Sequence, residues 1–230
     1  MNRMKVAIDG PAGAGKSTVA KIVAERLGLL YIDTGAMYRA VALKAIQAGI
    51  DLSDQESLTR LAADLDIRLN PDGRQLRVVV NNQDVTDQIR SQQVTESVSQ
   101  IATIPGVRAQ LVKIQRRIAQ TQGVVMDGRD IGTQVLPNAE VKIFLTASLQ
   151  ERAERRMQEL AAKGEPVNLE ELKNSIAKRD ARDSQREFSP LCKAEDAHVI
   201  DSTSLSVSQV AEQIVELCKA HIGTNLQGEE

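Results

Sequence analysis

Short apolar runs alternate with longer segments of helical periodicity along most of this chain. In those segments apolar residues recur at spacings of three and four, as on one face of an α-helix, and the last predicted helix spans residues 206–220. Apolar runs without alternating polar positions are typical of strands buried on both faces, as in parallel sheets covered by helices. We therefore predict an α/β fold of three layers around a parallel central sheet. Its strands are predicted at residues 6–8, 29–32, 124–126, 141–145 and 198–200.

One region departs from this alternation. Residues 66–70 and 74–80 flank Pro-Asp-Gly at 71–73, a composition that favours a turn, so an antiparallel hairpin is predicted there. A third short strand near residues 84–86 is expected to join it. The insertion is either a flap over a bound substrate or an excursion that decorates the fold or supports oligomerisation. The predicted division is a core of residues 1–66 and 95–230 with an inserted subdomain of residues 67–94.

Composition narrows the functional classes. The chain has 230 residues, of which 42% are hydrophobic, so a substantial core is feasible. A formal net charge of −2 and an aromatic content of 2% argue against a general nucleic-acid-binding surface. No apolar run approaches the ~20 residues of a membrane span, the first strand begins too early for a signal peptide, and Cys192 and Cys218 form no CxxC pattern. We expect a cytoplasmic protein without nucleic-acid or membrane partners.

A glycine-rich phosphate-binding motif follows the first predicted strand. Residues 10–17 read G-x-x-x-x-G-K-S and lead into a predicted helix, an arrangement called a P-loop. Backbone N–H groups of such a loop and the positive end of the helix form a cradle for phosphates. Lys16 supplies a mobile charge for the β and γ phosphates, and the Ser17 hydroxyl is placed to bind Mg²⁺. The residues predicted to hold the triphosphate are Gly10, Pro11, Ala12, Gly13, Ala14, Gly15, Lys16, Ser17 and Thr18.

Two acidic residues end predicted strands beside this loop. Asp127 is the better candidate to hold Mg²⁺ through water, because an acid after a buried strand is the usual second metal position beside a P-loop. Asp9 either shares that task or caps and orients the loop.

A kinase needs a second anion site that faces the first one. The lack of an Asn-Lys-x-Asp motif and the early position of the P-loop favour a small-molecule kinase over a GTPase. Arginine suits the second site, because its planar guanidinium binds two phosphate oxygens at once. Arg39, Arg108 and Arg129 follow predicted strands or begin predicted helices. Any one of them alone is more simply explained as a surface arginine, but the three together predict a site that binds the acceptor phosphate.

Two further groups of arginines each share one side of a predicted helix in the second half of the chain. Residues 163–168 between them contain helix-breaking residues. Two such helices joined by a short loop predict a lid at about residues 151–186, which excludes water and adds positive charge on closing. The alternatives are a solvated face with Glu151–Arg155 pairing and a ladder of ion pairs. The groups are Arg152, Arg155 and Arg156, and Arg179, Arg182 and Arg186.

Four motifs together resemble those of bacterial cytidylate kinases, a branch of the P-loop nucleoside monophosphate kinase family. The resemblance covers nearly the whole chain in order, including the hairpin insertion. It implies a P-loop NTPase-type fold with an inserted monophosphate-binding domain and a helical lid. It also implies a monomer that transfers the γ-phosphate of ATP to CMP or dCMP with Mg²⁺. The motifs are D-G-P-A-G-A-G-K-S at 9–17, D-T-G-A-M-Y-R at 33–39, D-G-R-D-I-G-T at 127–133 and R-D-A-R-D at 179–183.

The same resemblance implies roles for individual residues on the acceptor side. They fall where the family reads the cytosine base, where it grips the monophosphate, and where it contacts the sugar and the acceptor side. The base-reading positions are Ser99, Arg108 and Asp130, and the positions that grip the monophosphate are Tyr38, Arg39 and Arg129. The positions that contact the sugar and the acceptor side are Arg179, Asp183 and Arg186, and Thr34 falls at a small hydroxyl position of the pocket.

On the donor side, the lid arginines of the family match Arg152, Arg155 and Arg156. Arg152 is expected to bind ATP, and the other two are expected to be catalytic together with Lys16 and Arg129. Ser17 departs slightly from the family pattern, since some relatives have glycine there. A serine keeps the hydroxyl that Mg²⁺ needs.

Other functions remain open from the residues alone. The nearest is a P-loop kinase for UMP, another nucleotide or a small hydroxy compound, in which case Asp33 is the candidate base. A nucleotide-dependent switch without catalysis is a second alternative, which the acceptor-side arginines disfavour. The phosphate of CMP is already an anion near neutral pH, so no base is required. Alignment and charge compensation must then supply the catalysis.

Overall fold

A parallel sheet forms the centre of the computed structural model, which describes residues 3–72, 75–162, 164 and 168–227. The strands are β1 (Lys5–Asp9), β2 (Leu30–Asp33), β3 (Ile67–Asp72), β4 (Gln75–Val80), β5 (Gln83–Asp84), β6 (Val124–Gly128), β7 (Val141–Thr146) and β8 (His198–Asp201). The helices are α1 (Lys16–Leu27), α2 (Thr34–Gln47), α3 (Gln55–Asp64), α4 (Gln92–Ile101), α5 (Pro105–Thr121), α6 (Leu149–Ala161), α7 (Leu169–Gln185) and α8 (Val207–Gln227). A 3₁₀ turn spans Gln88–Arg90, and a π-helical turn spans Ile131–Val135.

The order of the strands brings three loops together. The sheet runs β2-β6-β1-β7-β8, so β6 lies between β1 and β2. All of these pairings are parallel, with Asp9 opposite Gly128 and Asp33 opposite Asp127. The carboxyl ends of β1, β2 and β6 therefore reach the same edge at the same level. Ligands bind at this edge in open α/β sheets.

Apolar side chains alternate between the two faces of the central sheet, as the two-residue period of a strand requires. Val6 and Ile8 pack with α1 and α8 on one face. Ala7 of the same strand packs with Ala119 of α5 and with the π-helical turn on the opposite face. A third apolar cluster joins α2, α3, α4 and α5. The predicted three-layer α/β fold with a parallel central sheet is confirmed.

The predicted insertion is present as a separate antiparallel sheet of β3, β4 and β5. Ile67 pairs with Val80, while Gly73 and Arg74 of the predicted hairpin lie outside the described residues. The inward side chains of this small sheet share one apolar cluster with α2, α3, α4 and α5. The division into a core and a subdomain of residues 67–94 stays a prediction.

A side-chain cap marks the start of one helix, and another helix extends beyond its predicted end. Helix α2 begins at Thr34, because the Asp33 carboxylate caps it by accepting the N–H of Ala36 at 2.9 Å. Helix α8 continues past residue 220 to Gln227 and includes Gly223, which costs only about 1 kcal/mol relative to alanine in a helix. Its 21 residues do not make it a membrane span, since no helix among the described residues combines the necessary length with an apolar enough composition.

The two arginine-bearing helices are present as α6 and α7, and they pack against each other. Of the helix-breaking segment between them, Gly164 and Asn168 are described, and the other four residues lie outside the described part of the chain. The Asn168 side chain caps α7 by accepting the N–H of Glu170 at 2.8 Å.

Candidate functional site

A cleft of about 1090 Å³ opens at the carboxyl edge of the central sheet. Most of the residues predicted to form the site line this cleft; the exceptions are Gly10, Pro11 and Arg152, together with the further candidates Asp9 and Arg182. Of the described residues in the insertion, only Arg90, Ser91 and Gln92 line it. As far as the structure describes it, the insertion therefore reaches the cleft through the end of the 3₁₀ turn and the start of α4, and not through its sheet.

The P-loop is shaped by glycines that no other residue could replace without strain. Gly10 has a φ of 150°, and a Cβ there would lie 1.9 Å from the Leu145 carbonyl oxygen. Gly15 has a φ of 84° and immediately precedes α1. Lys16 is buried, and its Nζ donates to the Pro11 carbonyl oxygen at 2.7 Å. The lysine side chain thus folds back onto the loop that precedes it.

The electrostatic surroundings of Lys16 link the two halves of the cleft. Burial lowers the pKa of this ammonium group well below its ordinary value, and the positive charge of Arg129 lowers it further. Arg179 acts in the same direction, while Asp127 and Asp9 oppose it. Three cations therefore converge inside one cleft, where a bound anion would stabilise all of them.

Asp127 lies at the end of β6, and its carboxylate accepts hydrogen bonds from two hydroxyl groups. Ser17 Oγ donates to Asp127 Oδ2 at 2.8 Å, and the Tyr31 hydroxyl donates to Oδ1 at 2.9 Å. Burial raises the pKa of Asp127 to about 6, and the nearby Asp33 charge adds to this effect. A serine hydroxyl beside a carboxylate is an oxygen ligand set that suits Mg²⁺. The residues present therefore fit the predicted metal.

Asp9 contacts a different element from the P-loop that it precedes. Its carboxylate accepts the N–H of Ile131 at 2.8 Å and the N–H of Gly132 at 2.7 Å. Asp9 thus holds the start of the π-helical turn that follows Asp130. Burial raises the pKa of Asp9 to about 6, and the two amide donors lower it less strongly. It orients the loop after β6, and it does not line the cleft.

A buried carboxylate between two arginines also lines the cleft. Asp130 Oδ2 accepts from Arg108 Nη2, and Arg186 Nη2 lies 3.6 Å from Asp130 Oδ1. The Arg108 guanidinium also lies over the Tyr38 ring, 5.5 Å from its centroid. Ser99 is buried and lines the same region. Of the three residues predicted to read the base, Arg108 and Asp130 thus contact each other, and Ser99 lines the same cleft.

Further arginines lie between this cluster and the P-loop. Arg129 Nε donates to Asp183 Oδ2 at 2.9 Å, and Arg39 Nη2 donates to Asp33 Oδ2 at 2.7 Å. The pKa of Arg179 is lowered to about 10, mainly because the side chain is buried and secondly because of the positive charge of Arg129. Several buried guanidinium nitrogens of the cleft form no hydrogen bond within the described residues, although one of them, Arg186 Nη2, lies in ion-pair range of Asp130, and such nitrogens suit an anion. They are Nε of Arg39, Arg108 and Arg179, and Nη2 of Arg186.

The lid arginines are held in different ways. Arg155 Nε donates to Glu151 at 2.9 Å, which is the pair that the sequence offered as an alternative, and Arg155 Nη2 donates to the Ser202 carbonyl oxygen at 2.7 Å. Arg156 pairs with Glu159 at 2.8 Å near the surface. Arg155 and Arg156 line the cleft, whereas Arg182 is exposed and does not.

Arg152 is buried below the cleft. It donates from Nη1 to the Ala12 carbonyl oxygen at 2.8 Å and to Asp180 Oδ2 at 2.5 Å. Its Nε donates to the Ala147 carbonyl oxygen at 3.0 Å. Sequence reasoning did not foresee these contacts of Arg152, or the one between Tyr31 and Asp127. The spacing of residues along a helix shows which side chains share a face, but not what that face meets.

The chain resembles known proteins over nearly its whole length. The family model for cytidylate kinase matches residues 6–220. A cytidylate kinase from Geobacillus kaustophilus (strain HTA426) is 56% identical over 221 residues, covering 96% of this chain and 99% of the relative. One from Bacillus subtilis (strain 168) is 55% identical over 216 residues, covering 93% of this chain and 96% of the relative.

Among solved structures, an uncharacterized protein from Eubacterium ventriosum ATCC 27560 aligns with a TM-score of 0.52. Its sequence is 16% identical, and the alignment covers 95% of this chain and 99% of that protein. At this level of identity the likeness supports the fold alone.

Proposed function

This chain belongs to the cytidylate kinase family, and we propose that it transfers the γ-phosphate of ATP to CMP or dCMP, giving CDP or dCDP. The observation that carries the proposal is the convergence of cations from two sides of one cleft. Lys16 of the P-loop lines the same cleft as Arg129, which follows β6, and Arg179 of α7. Two phosphate-bearing ligands placed end to end would satisfy both sets of charges.

The donor half is proposed to bind ATP through the P-loop and the arginines of α6. Backbone N–H groups of the loop and the amino end of α1 face the phosphates. Ser17 and Asp127 would hold Mg²⁺, Asp127 through water. When bound, the ion neutralises charge on the β and γ phosphates. Arg155 and Arg156 lie on the cleft side of α6, from which they can reach the transferring group.

The acceptor half is proposed to bind the cytosine nucleotide. In this proposal Asp130 accepts from the exocyclic amine of cytosine, and Ser99 and Arg108 donate to the ring acceptors. A buried carboxylate held by two arginines is a rigid acceptor, which suits discrimination between bases. The monophosphate would be gripped by Tyr38, Arg39 and Arg129. The sugar would meet Arg179, Asp183, Arg186 and Thr34.

In the proposed reaction the protein aligns the two substrates and forms no covalent bond with either of them. A phosphate oxygen of the acceptor attacks the γ-phosphorus in line, and the bond to the ADP leaving group breaks. Lys16, Arg129, Arg155 and Arg156 are proposed as the catalytic residues, because they can compensate the charge that spreads over the transferring group. The Asp33 carboxylate already accepts hydrogen bonds from Arg39 and from the N–H of Ala36 at the start of α2. These bonds argue against Asp33 as the base for a hydroxyl acceptor.

We extend the proposal to the setting in which the enzyme works. It acts as a monomer in the cytoplasm on small-molecule nucleotides, without nucleic-acid or membrane partners. The net charge of −2, the low aromatic content and the family membership support this part of the proposal.

A coupled assay of ADP release tests the function directly. Purified protein is supplied with ATP, Mg²⁺ and one acceptor at a time: CMP, dCMP, UMP, AMP or GMP. The proposal expects the largest kcat/KM for CMP or dCMP. A larger value for UMP or a purine would reassign the acceptor. ATP binding without ADP release for any acceptor would favour a nucleotide-dependent switch.

A further inference from the structure

The backbone of one P-loop residue, Ala12, is bound at both its N–H and its carbonyl oxygen by the two partners of a largely buried ion pair. The N–H of Ala12 donates to Asp180 Oδ1 at 3.1 Å, and its carbonyl oxygen accepts from Arg152 Nη1 at 2.8 Å. Arg152 and Asp180 also bind each other at 2.5 Å. Only 9% of the Arg152 side chain and 19% of the Asp180 side chain are exposed. A backbone N–H that donates to Asp180 is not available to a phosphate, so this contact holds the loop and does not form part of the cradle.

The two partners come from different helices. Arg152 belongs to α6 and is fixed further by its hydrogen bond to the Ala147 carbonyl oxygen, just after β7. Asp180 belongs to α7. The P-loop therefore sits against a joint between both arginine-bearing helices.

Helix α7 also contacts the acceptor side. Asp183 lies one turn along from Asp180, on the same side of the helix, and accepts from Arg129. Arg179, immediately before Asp180, lines the cleft with its Nε buried. One rigid helix thus touches the donor loop through Asp180 and the acceptor arginine through Asp183. Its position sets the distance between the two.

Electrostatics explain why the carboxylate needs Arg152. A carboxylate beside a phosphate-binding loop would repel a triphosphate unless a cation neutralises it. Arg152 supplies that cation at hydrogen-bond distance. Removing the arginine alone would leave an uncompensated, partly buried negative charge against the loop, which is worse than removing the whole pair.

We propose that Asp180 is a positioning residue: it anchors the P-loop to α7 through Ala12 and so sets the donor phosphates in register with the acceptor site. This inference rests on the proposed function for the identity of the acceptor. The anchoring of the donor loop follows from the contacts alone.

The test compares four variants with the wild-type enzyme. Asp180→Asn keeps an acceptor for the Ala12 N–H but removes the charge, and Asp180→Ala removes both. Arg152→Ala and the double variant Arg152→Ala/Asp180→Ala complete a double-mutant cycle. Glu170→Gln is the matched control, because it removes a solvent-exposed ion pair of the same helix, with Lys173 at 2.9 Å. Calorimetry measures the Kd of a non-hydrolysable ATP analogue and of CMP separately, and the steady state gives kcat and KM.

Asp180→Ala is expected to raise the Kd of the ATP analogue about tenfold or more, which is the loss of affinity that follows from removing one charge-assisted hydrogen bond. The same variant should lower kcat and change the Kd of CMP alone less than twofold. Asp180→Asn should lie between it and the wild type, and Glu170→Gln should match the wild type. Arg152→Ala should weaken the ATP analogue more than Asp180→Ala does, and the double variant should recover part of that loss.

Equal weakening of ATP and CMP, in step with a lower melting temperature, would mean a merely structural role and would overturn the inference. So would unchanged ATP affinity and unchanged kcat in Asp180→Ala. If that variant does not fold, the nearly isosteric Asp180→Asn decides by the same criteria. A wild-type enzyme that releases no ADP with CMP would refute the proposed function instead, since the ATP-binding measurements do not depend on the acceptor.

Discussion

The Ser17 hydroxyl donates to the Asp127 carboxylate at 2.8 Å, and this bond joins the first turn of α1 to the end of β6. The two residues are 110 positions apart in the sequence and meet because β6 inserts beside β1. Their oxygens are the ones proposed to hold Mg²⁺.

Removing the Ser17 hydroxyl should raise the Mg²⁺ requirement. We expect Ser17→Ala to need about tenfold more free Mg²⁺ for half-maximal activity, because one oxygen ligand of the ion is lost. Activity is measured across a MgCl₂ titration at fixed ATP. Ser17→Thr keeps a hydroxyl and should follow the wild type closely. Identical titrations for Ser17→Ala and Ser17→Thr would contradict the assignment.

Lys16 is expected to act on turnover and not on folding. Lys16→Ala should lower kcat by about 10²-fold or more, since the charge on the transferring phosphoryl group loses a preorganised cation. Burial disfavours the charged form of this lysine, so its removal should leave the fold intact, as judged by circular dichroism. Lys21→Ala on the exposed side of the same helix is the control. Equal turnover in both variants would remove Lys16 from the mechanism.

Asp130 is expected to serve the acceptor and not ATP. Asp130→Ala should weaken CMP about 10²-fold, because two buried arginines lose their carboxylate and the base loses its acceptor. ATP affinity should change less than about threefold. Both affinities are measured by calorimetry. Asp196→Ala, which breaks the pair of another buried cation, Lys142, should leave both values unchanged. Equal losses of ATP and CMP in Asp130→Ala would count against a base-reading role.

Asp9 predicts a pH dependence of stability. Its pKa is about 6 in the folded chain against an ordinary value of 3.8, so the folded state holds the proton more tightly than the unfolded state. The contribution of Asp9 to stability is therefore fully present below pH 3.8 and is lost as pH rises through 6. By linkage this amounts to roughly 3 kcal/mol, at about 1.4 kcal/mol for each unit of pKa.

Urea unfolding of the wild type and Asp9→Asn from pH 4 to 7 checks this. The wild type should lose stability relative to the variant over that interval, because asparagine has no proton to release. Parallel stability curves would show that Asp9 does not titrate in this range.

The sequence predicted the parts of the site that obey local rules. The P-loop motif identifies Lys16 and Ser17 because backbone shape and residue type suffice, and the buried run before Asp127 places that carboxylate at the same edge. The resemblance of the motifs brought Asp130 and Arg108 to the acceptor side, and the structure joins them directly.

Contacts across long stretches of sequence escaped prediction. Helical spacing placed Arg152 with Arg155 and Arg156, but Arg152 turns to Ala12, 140 positions away. Asp9 was expected near the P-loop, yet its amide donors lie 122 and 123 positions later. Such partners depend on how helices and loops pack, which no local pattern records.

The acceptor-side helices α2 to α5 and the small antiparallel sheet share one apolar cluster, while α1 and α8 share another on the far side of β1. No buried residue belongs to both clusters, so we expect a substitution within one of them to disturb the packing of the other only slightly. Selection for a new phosphate acceptor could therefore reshape the cluster around α2 to α5 with little effect on the packing behind the P-loop, provided that α7 kept its contacts with both sides.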